Sequence, residues 1–386
     1  MSFNSNNTLK IILLTATAFF MRFVLKDYLS EDNNFYIRIA SMSAVLIIGA
    51  GFVLTGIAKI IEETTEVLSE KTKIASGLLQ SLGTAFPDMV LGVTAAFISL
   101  KIGSTDYARS VNYAIIAAAT TFGSNIYNVG HATWCIFRQN QANLHNKTIF
   151  MFPFLKFSGS LKPLSQHRVK PSYPEISTAI DVSTALTLLT TIVAISMVVF
   201  GKINNPPIGT NGDLYQLIRP VGIIIFIITV FVLYSFRKTQ RLTGETVEIS
   251  QNENYYRHRP LYFTWFSLIL SGVGILLAAE TMVTAIETFS NLTHVSFVVS
   301  GVLAGIIGCL GEIIVVHNFS VNPNGRIGDA IVGVAMDNIV TTMGASIVAI
   351  IGGIFLGGNA LILIFITILC LNSLLIHQIT KLKDNL

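Results

Sequence analysis

Two stretches of equal length decide the fold: SGLLQSLGTAFPD at residues 76–88 and SGVLAGIIGCLGE at residues 300–312. They align without a gap at an offset of 224 residues, Ser76-Gly77 against Ser300-Gly301, and each closes on an acid, Asp88 or Glu312. The next apolar run of each half carries a second match, Ser124-Asn125-Ile126 against Asp337-Asn338-Ile339. A repeat at this spacing means that two related units build the chain.

The surrounding sequence says what solvent those units occupy. Of 386 residues, 52% are hydrophobic and only 12% are charged, with a mean hydropathy of +0.65. Soluble domains carry roughly 25% charged residues, so polar groups are too few to cover a globule in water. The bilayer is the expected environment. Crossing its core takes about 20 mostly apolar residues. Ten such runs are present, at 9–30, 37–62, 73–100, 111–137, 178–200, 216–236, 261–285, 294–318, 326–354 and 359–380. The first is interrupted by Arg22 and Lys26 and has the outline of a signal peptide, with Lys10 before an apolar stretch at 11–20. Met21-Arg22-Phe23 follows where a small-x-small cleavage site belongs, so the run reads as a helix.

With the loops alternating sides, 17 Lys and Arg residues fall on the side of both termini and 6 on the other. Cytoplasmic loops concentrate positive charge, which predicts both termini in the cytoplasm; the expected location is the plasma (inner) membrane. The hydrophilic segments 138–177 and 237–260 set the organisation. Residues 1–36 form an extra N-terminal helix. Residues 37–236 form the first half, including the basic loop 138–177 and its apolar patch Ile149–Phe157. Residues 237–260 are a cytoplasmic linker and 261–386 the second half. In this topology helix 73–100 runs outward and helix 294–318 inward, so the repeats are inverted, as in many transporters with a site near the bilayer midplane. The predicted fold is all-α and polytopic, with two inverted repeats and broken helices at the centre.

Asp88 and Glu312 sit deep in their runs, where an ionised carboxylate costs several kcal/mol unless paired, hydrated or bound to a cation. Gly83 and Pro87 precede Asp88, and Gly305, Gly308 and Gly311 precede Glu312. These residues weaken a helix, and a broken helix offers carbonyl oxygens to a cation. Residues four apart share a helix face, which puts Thr84 beside Asp88, Ser124 beside Asn128 and Asp337 beside Thr341. With Asn125 and Asn338, four helices offer carboxylate, amide and hydroxyl oxygens. Calcium takes six to eight such oxygens at about 2.3–2.6 Å, and sodium or protons compete for the same atoms. Cys135, Cys309 and Cys370 lie in apolar runs and suggest no disulfide framework, while CxxC and HExxH spacings are absent. Glu280 and Asp181 lie nearer helix ends, within reach of water. His131 and His317 suit proton relay, although a lone histidine near a helix end is more often structural.

Ser81-Leu82-Gly83-Thr84-Ala85-Phe86-Pro87-Asp88, followed by Gly123-Ser124-Asn125-Ile126-Tyr127-Asn128, resembles the first alpha repeat of the calcium/cation antiporter superfamily, the sodium/calcium exchangers. That repeat typically reads Gly-Thr-Ser-x-Pro-Glu and then Gly-Ser-Asn-x-x-Asn. Asp88 in place of Glu, with Leu310-Gly311-Glu312 in the second half, resembles the cation/calcium exchanger branch. The resemblance covers 37–137 and 261–354 and is specific in the first repeat. It implies two inverted five-helix halves, Asp88 and Glu312 as the central calcium carboxylates, Thr84, Ser124 and Asn128 lining the first-half site, and Asp337 and Thr341 lining the second.

Gly308-Cys309 stands where the family often has Thr-Ser, Met336-Asp337-Asn338 replaces Gly-Ser-Asn, and Thr341 replaces an Asp or Asn. Proton coupling is the natural substitute for sodium there. The expected activity is exchange of calcium for sodium or protons by alternating access, with no resident cofactor and no enzymatic chemistry. The expected partners are inorganic cations and the lipid bilayer, with no nucleic acid, and the chain is expected to act as a monomer. The rival readings are an intramembrane enzyme using Asp88 and Glu312 as an acid pair, and a cation channel. The chain contains neither HExxH nor a Gly-x-Gly-Asp protease motif.

Overall fold

A computed structural model describes residues 6–72, 76–145, 149, 173–200, 218–243, 254–309, 313, 316–317, 327–351 and 359–384. Among the described residues the regular structure is helical and no strand occurs. In chain order the helices are α1 (Asn6–Phe20), α2 (Phe35–Ile48), α3 (Thr55–Thr72), α4 (Ser76–Ile102), α5 (Tyr107–His145) and α6 (Tyr173–Phe200). They are followed by α7 (Ile218–Thr243), α8 (Leu261–Thr293), α9 (Phe297–Gly308), α10 (Ile327–Ile351) and α11 (Asn359–Asp384). A π-helical segment, Gly49–Leu54, joins α2 to α3 without a break, and another, Met21–Leu25, extends α1.

Among the described residues five helices are long and apolar enough to cross a membrane: Phe35–Thr65, Tyr173–Ser196, Leu261–Thr293, Ala330–Ile350 and Ile362–Asp384. Met89–Ile102, Pro220–Ser235 and Phe297–Gly308 are shorter apolar helices. Large apolar side chains on the outside, among them Ile227, Phe231, Phe266, Ile269 and Leu363, are exposed as a lipid-facing surface requires.

α5 is the central column, packed by α4, α9, α10 and α11, while α10 is packed in turn by α4, α6 and α7. α1, α2 and α3 gather around α8 on one flank. At 39 residues α5 is about 58 Å long, well beyond a bilayer core of about 30 Å. It runs past the end predicted for its apolar stretch because its last turns pack across helices. Asn140 Nδ2 donates to the Gln378 backbone oxygen at 2.9 Å and to Gln378 Oε1 at 3.1 Å. Residues 138–145 therefore belong to α5 and not to the basic loop. α8 ends at His294, whose φ of 57° is the left-handed conformation that often closes a helix.

Several charged side chains on the helices find partners. Glu280 of α8 accepts from Arg22 Nε and Lys26 Nζ, each at 2.6 Å. Arg22 and Lys26, which interrupt the first apolar run, thus hold α1 against α8 as an ion triad. Toward the end of α8, buried Glu287 accepts from Arg109 Nε at 2.6 Å, from Arg109 Nη2 at 2.8 Å and from the Tyr113 hydroxyl. The hydrogen bonds to Glu287 raise the Arg109 guanidinium above its usual pKa, so it stays charged. At the opposite end of α8, Lys71 Nζ donates to the Arg259 backbone oxygen at 2.7 Å, and Asn254 Nδ2 to the Glu63 backbone oxygen at 2.9 Å. The last residues of the 237–260 linker are therefore docked on α3, with Tyr256 fully buried.

The helix carrying Asp88 differs from expectation. α4 continues unbroken from Ser76 through Pro87 and Asp88 to Ile102. Pro87 lacks only the N–H that would bond the carbonyl of Gly83, and glycine at that position tolerates the local adjustment. In the other half, α9 stops at Gly308, and Cys309 N caps it on the Gly305 oxygen at 3.3 Å. Glu312 lies outside the described residues.

Candidate cation site between α5 and α10

Six of the nine predicted site residues stand buried on α5 and α10, and three of them, Asn128, Asp337 and Asn338, meet between the two helices. Ser124, Asn125 and Asn128 stand on α5, and Asp337, Asn338 and Thr341 on α10; all are at most 3% exposed. Asn128 Nδ2 donates to Asp337 Oδ2 at 3.3 Å and to Asn338 Oδ1 at 3.5 Å. One amide thus joins helices 209 and 210 residues apart in sequence. Thr84 and Asp88 lie on the α4 backbone, their side chains outside the described residues, and Glu312 is likewise outside them.

The oxygens of this cluster are arranged as acceptors. Ser124 Oγ donates its proton to the Thr121 carbonyl at 2.8 Å, which leaves its lone pairs for another partner. One donor, Asn338 Nδ2, and three acceptors, Asn125 Oδ1, Asn128 Oδ1 and Thr341 Oγ1, are buried and have no hydrogen-bond partner among the described residues. A buried polar atom left unpaired costs about 1–3 kcal/mol, so three together are a conspicuous local expense. A hard cation matches them, since amide, hydroxyl and carboxylate oxygens are the ligands that calcium takes. No three His, Cys, Asp or Glu side chains among the described residues gather as a metal cage. Amides and hydroxyls therefore make up most of the cluster around Asp337.

Two oxygens that sequence reasoning passed over belong to the same region. Thr120 Oγ1 on α5 and Ser300 Oγ on α9 are buried and unpaired among the described residues. Ser300 opens the second Ser-Gly signature, the one signal that pointed to it. Its helix reaches α5 by backbone contact. A Cβ on Gly305 would lie 2.6 Å from Ser124 N, and one on Gly123 would lie 2.8 Å from Val302 Cα. Only glycine permits this approach, which draws α9 against the Ser124 turn.

Three other acids, Glu175, Glu280 and Glu287, have structural partners. Glu175, 5% exposed, accepts from Gly328 N at 2.7 Å and fixes the start of α10 to α6. Glu280 and Glu287 are held by the ion pairs already described, and Asp181 is exposed. Among the described residues, Cys135, Cys309 and Cys370 form no disulfide.

Three chains among solved structures match this protein. One is the crystal structure of the H+/Ca2+ exchanger CAX, at a TM-score of 0.61 and 13% sequence identity, over 99% of this chain and 84% of that one. No protein-family model and no curated protein sequence matches the chain. At that identity the likeness is one of fold, and it extends along almost the whole length, including α1 and the α5–α10 junction.

Proposed function

We propose that this chain is a secondary active transporter of the calcium/cation antiporter superfamily, exchanging calcium for a counter-ion across a membrane by alternating access. The observation that carries the reading is the buried oxygen cluster joined by Asn128 and Asp337, inside a fold shared with an H+/Ca2+ exchanger. That likeness favours the proton as counter-ion over sodium. The departures at Gly308-Cys309 and Thr341 point the same way, because hydroxyl and carboxylate ligands of the sodium-coupled pattern are missing there.

The ten-span topology has both termini on the positively charged side. In support, Lys71 and Arg259, assigned to one side, meet at 2.7 Å. The two halves are inverted repeats whose counterparts exchange partners. α5 of the first half packs on α9 of the second, and α10 of the second packs on α4 of the first. Such interleaving allows one half to rock against the other around a fixed site. Asp88 and Glu312 are the two carboxylates that neutralise a divalent charge there, with Asp337 as the third. Thr84, Ser124, Asn125, Asn128, Asn338 and Thr341 supply neutral oxygens. When the site holds calcium these groups stabilise it; protons on the carboxylates release it.

Purified protein in proteoliposomes tests this reading. Calcium uptake driven by an imposed proton gradient is expected, with a sodium gradient as the alternative arm. Asp88→Asn and Glu312→Gln are each expected to abolish that uptake at normal expression. Undiminished flux in both variants removes these acids from the site, and calcium flux independent of any counter-ion gradient replaces the exchanger with a channel.

A further inference from the structure

α5 carries a polar line that the cation cluster uses only in part. In a helix of about 3.6 residues per turn, Arg109, Tyr113, Thr120 and Ser124 fall within an arc of about 60° on one face of α5. α9 closes one side of that arc, where a Cβ on Gly301 would lie 3.3 Å from both the Ile116 oxygen and Thr120 N. α4 closes the other, where a Cβ on Gly92 would lie 3.4 Å from the Ala117 oxygen. Thr120 Oγ1 and, from α9, Ser300 Oγ belong to residues at most 2% exposed and have no hydrogen-bond partner among the described residues. Thr120 precedes Ser124 by about 6 Å along the helix axis, and Tyr113 precedes Thr120 by about 10.5 Å.

The line ends at Glu287. This buried carboxylate of α8 is reached from α5 by Arg109 Nε at 2.6 Å, by Arg109 Nη2 at 2.8 Å and by the Tyr113 hydroxyl. The guanidinium itself is half-exposed and lies over the Tyr113 ring at 5.8 Å. Asp106 adds a second carboxylate one turn earlier, accepting from Arg109 N at 3.0 Å.

We propose that Glu287, with the Tyr113 hydroxyl, is an entrance site for calcium at the Tyr107 end of α5, and that Arg109 holds it closed as a tethered cation. The proposal rests on the exchanger reading for its role in transport, though not for the binding of a cation at Glu287. A carboxylate accepts two parallel N–H donors from a guanidinium, or gives the same two oxygens to calcium, so the two cations exclude each other. When Arg109 turns out into water, Glu287 is left as a buried uncompensated charge, which a divalent cation satisfies. Because Arg109 is half-exposed, its release costs less than breaking a fully buried pair. With one carboxylate and one hydroxyl, the site leaves most of the six to eight calcium ligands to water, as suits a first station. Thr120, and Ser300 beside Gly301, offer the next oxygens along the same face toward Ser124. Unpaired buried hydroxyls cost stability at a helix contact, and a cation moving along this line gives them a partner.

Arg109→Ala and Glu287→Gln break the same ion pair, so a purely structural role moves both variants in one direction. An entrance site moves them apart. In proteoliposomes the calcium concentration for half-maximal uptake is expected to fall about tenfold in Arg109→Ala and to rise about tenfold in Glu287→Gln. Shifts in the same direction, or no shift in either variant, overturn the proposal. If Arg109→Ala does not fold, Arg109→Lys takes its place. A lysine holds the carboxylate as a point charge without the two-pronged fit, and half-saturation is expected to fall about threefold. An unchanged value in Arg109→Lys overturns the proposal equally.

Equilibrium dialysis of the full-length, detergent-purified protein against radioactive calcium reads the site without transport. Arg109→Ala, or Arg109→Lys in its place, is expected to hold one calcium per chain more than the same variant carrying Glu287→Gln. Equal amounts overturn the site. Wild-type vesicles that take up no calcium under any gradient overturn the exchanger reading, while the dialysis still decides whether Glu287 binds calcium.

Discussion

Replacing Gly305 by alanine places a methyl group where α9 already touches α5. A Cβ at this position falls 2.6 Å from Ser124 N, 2.9 Å from Gly123 C and 3.0 Å from Thr120 O. Carbon contacts are optimal at about 3.5–4.0 Å, so α9 has to retreat by roughly 1 Å. All three atoms belong to the backbone of α5, and no side-chain rotation relieves them. Overpacking of this kind costs about 1–3 kcal/mol. The better helix propensity of alanine returns at most about 1 kcal/mol. The expected net effect is a loss of about 1–2 kcal/mol and displacement of α9 from the Ser124 turn. Gly272→Ala in α8 is the control, because a Cβ there meets nothing within 4 Å among the described residues. Thermal unfolding of both purified variants, followed by intrinsic fluorescence, and calcium uptake in proteoliposomes supply the comparison. Gly305→Ala is expected to melt a few degrees lower and to lose most uptake, with Gly272→Ala at or above wild type in both. Equal melting temperatures and equal uptake in the two variants would refute the backbone contact between α5 and α9.

Three further perturbations probe separate parts of the molecule. Asp337→Asn removes the carboxylate that Asn128 contacts and is expected to cut calcium uptake more than about tenfold at unchanged expression; full uptake removes Asp337 from the cation site. Arg109→Ala strips two donors from Glu287, which is 4% exposed. Because Arg109 itself is half-exposed, the expected loss is about 1–3 kcal/mol. Arg109→Lys should recover part of the melting temperature, and an unshifted Arg109→Ala protein contradicts the pair's structural role. Glu280→Gln leaves Arg22 and Lys26 without their carboxylate and is expected to loosen α1 from α8. Limited proteolysis should then cleave the 20–34 region faster than in wild type, whereas identical cleavage rates mean that α1 is held by apolar packing alone.

The all-helical fold was legible because long apolar runs with few charges read as packed helices, and helices are what the described residues form. Helix lengths were less legible. Gln139 and Asn140 look like the start of a loop, yet both are buried, and Asn140 bonds across to Gln378. Sequence polarity does not tell a solvated amide from one paired between helices. Arg22 and Lys26 weakened the first helix for a similar reason, since their partner Glu280 lies more than 250 residues away. The meeting of α5 and α10 in the candidate site was legible through Asn128 and Asp337, polar residues in apolar runs that do contact each other. Thr120 and Ser300 were not, because hydroxyls are common at helix contacts and only their unpaired burial singles them out. The pairing of the two histidines was hidden for a further reason. His131 and His317 each read as an isolated imidazole until the two halves were brought together. Proline misled in α4, where Pro87 is absorbed within a continuous helix.

Simultaneous recording of calcium and protons in the same vesicles tests exchange most directly. With a calcium indicator and a pH indicator trapped inside proteoliposomes, external calcium is added in the absence of sodium. Calcium entry matched by alkalinisation of the lumen, both lost together in Asp337→Asn, is the predicted result. Calcium entry with a constant internal pH, or entry undiminished in Asp337→Asn, would contradict proton-coupled exchange at the junction of α5 and α10.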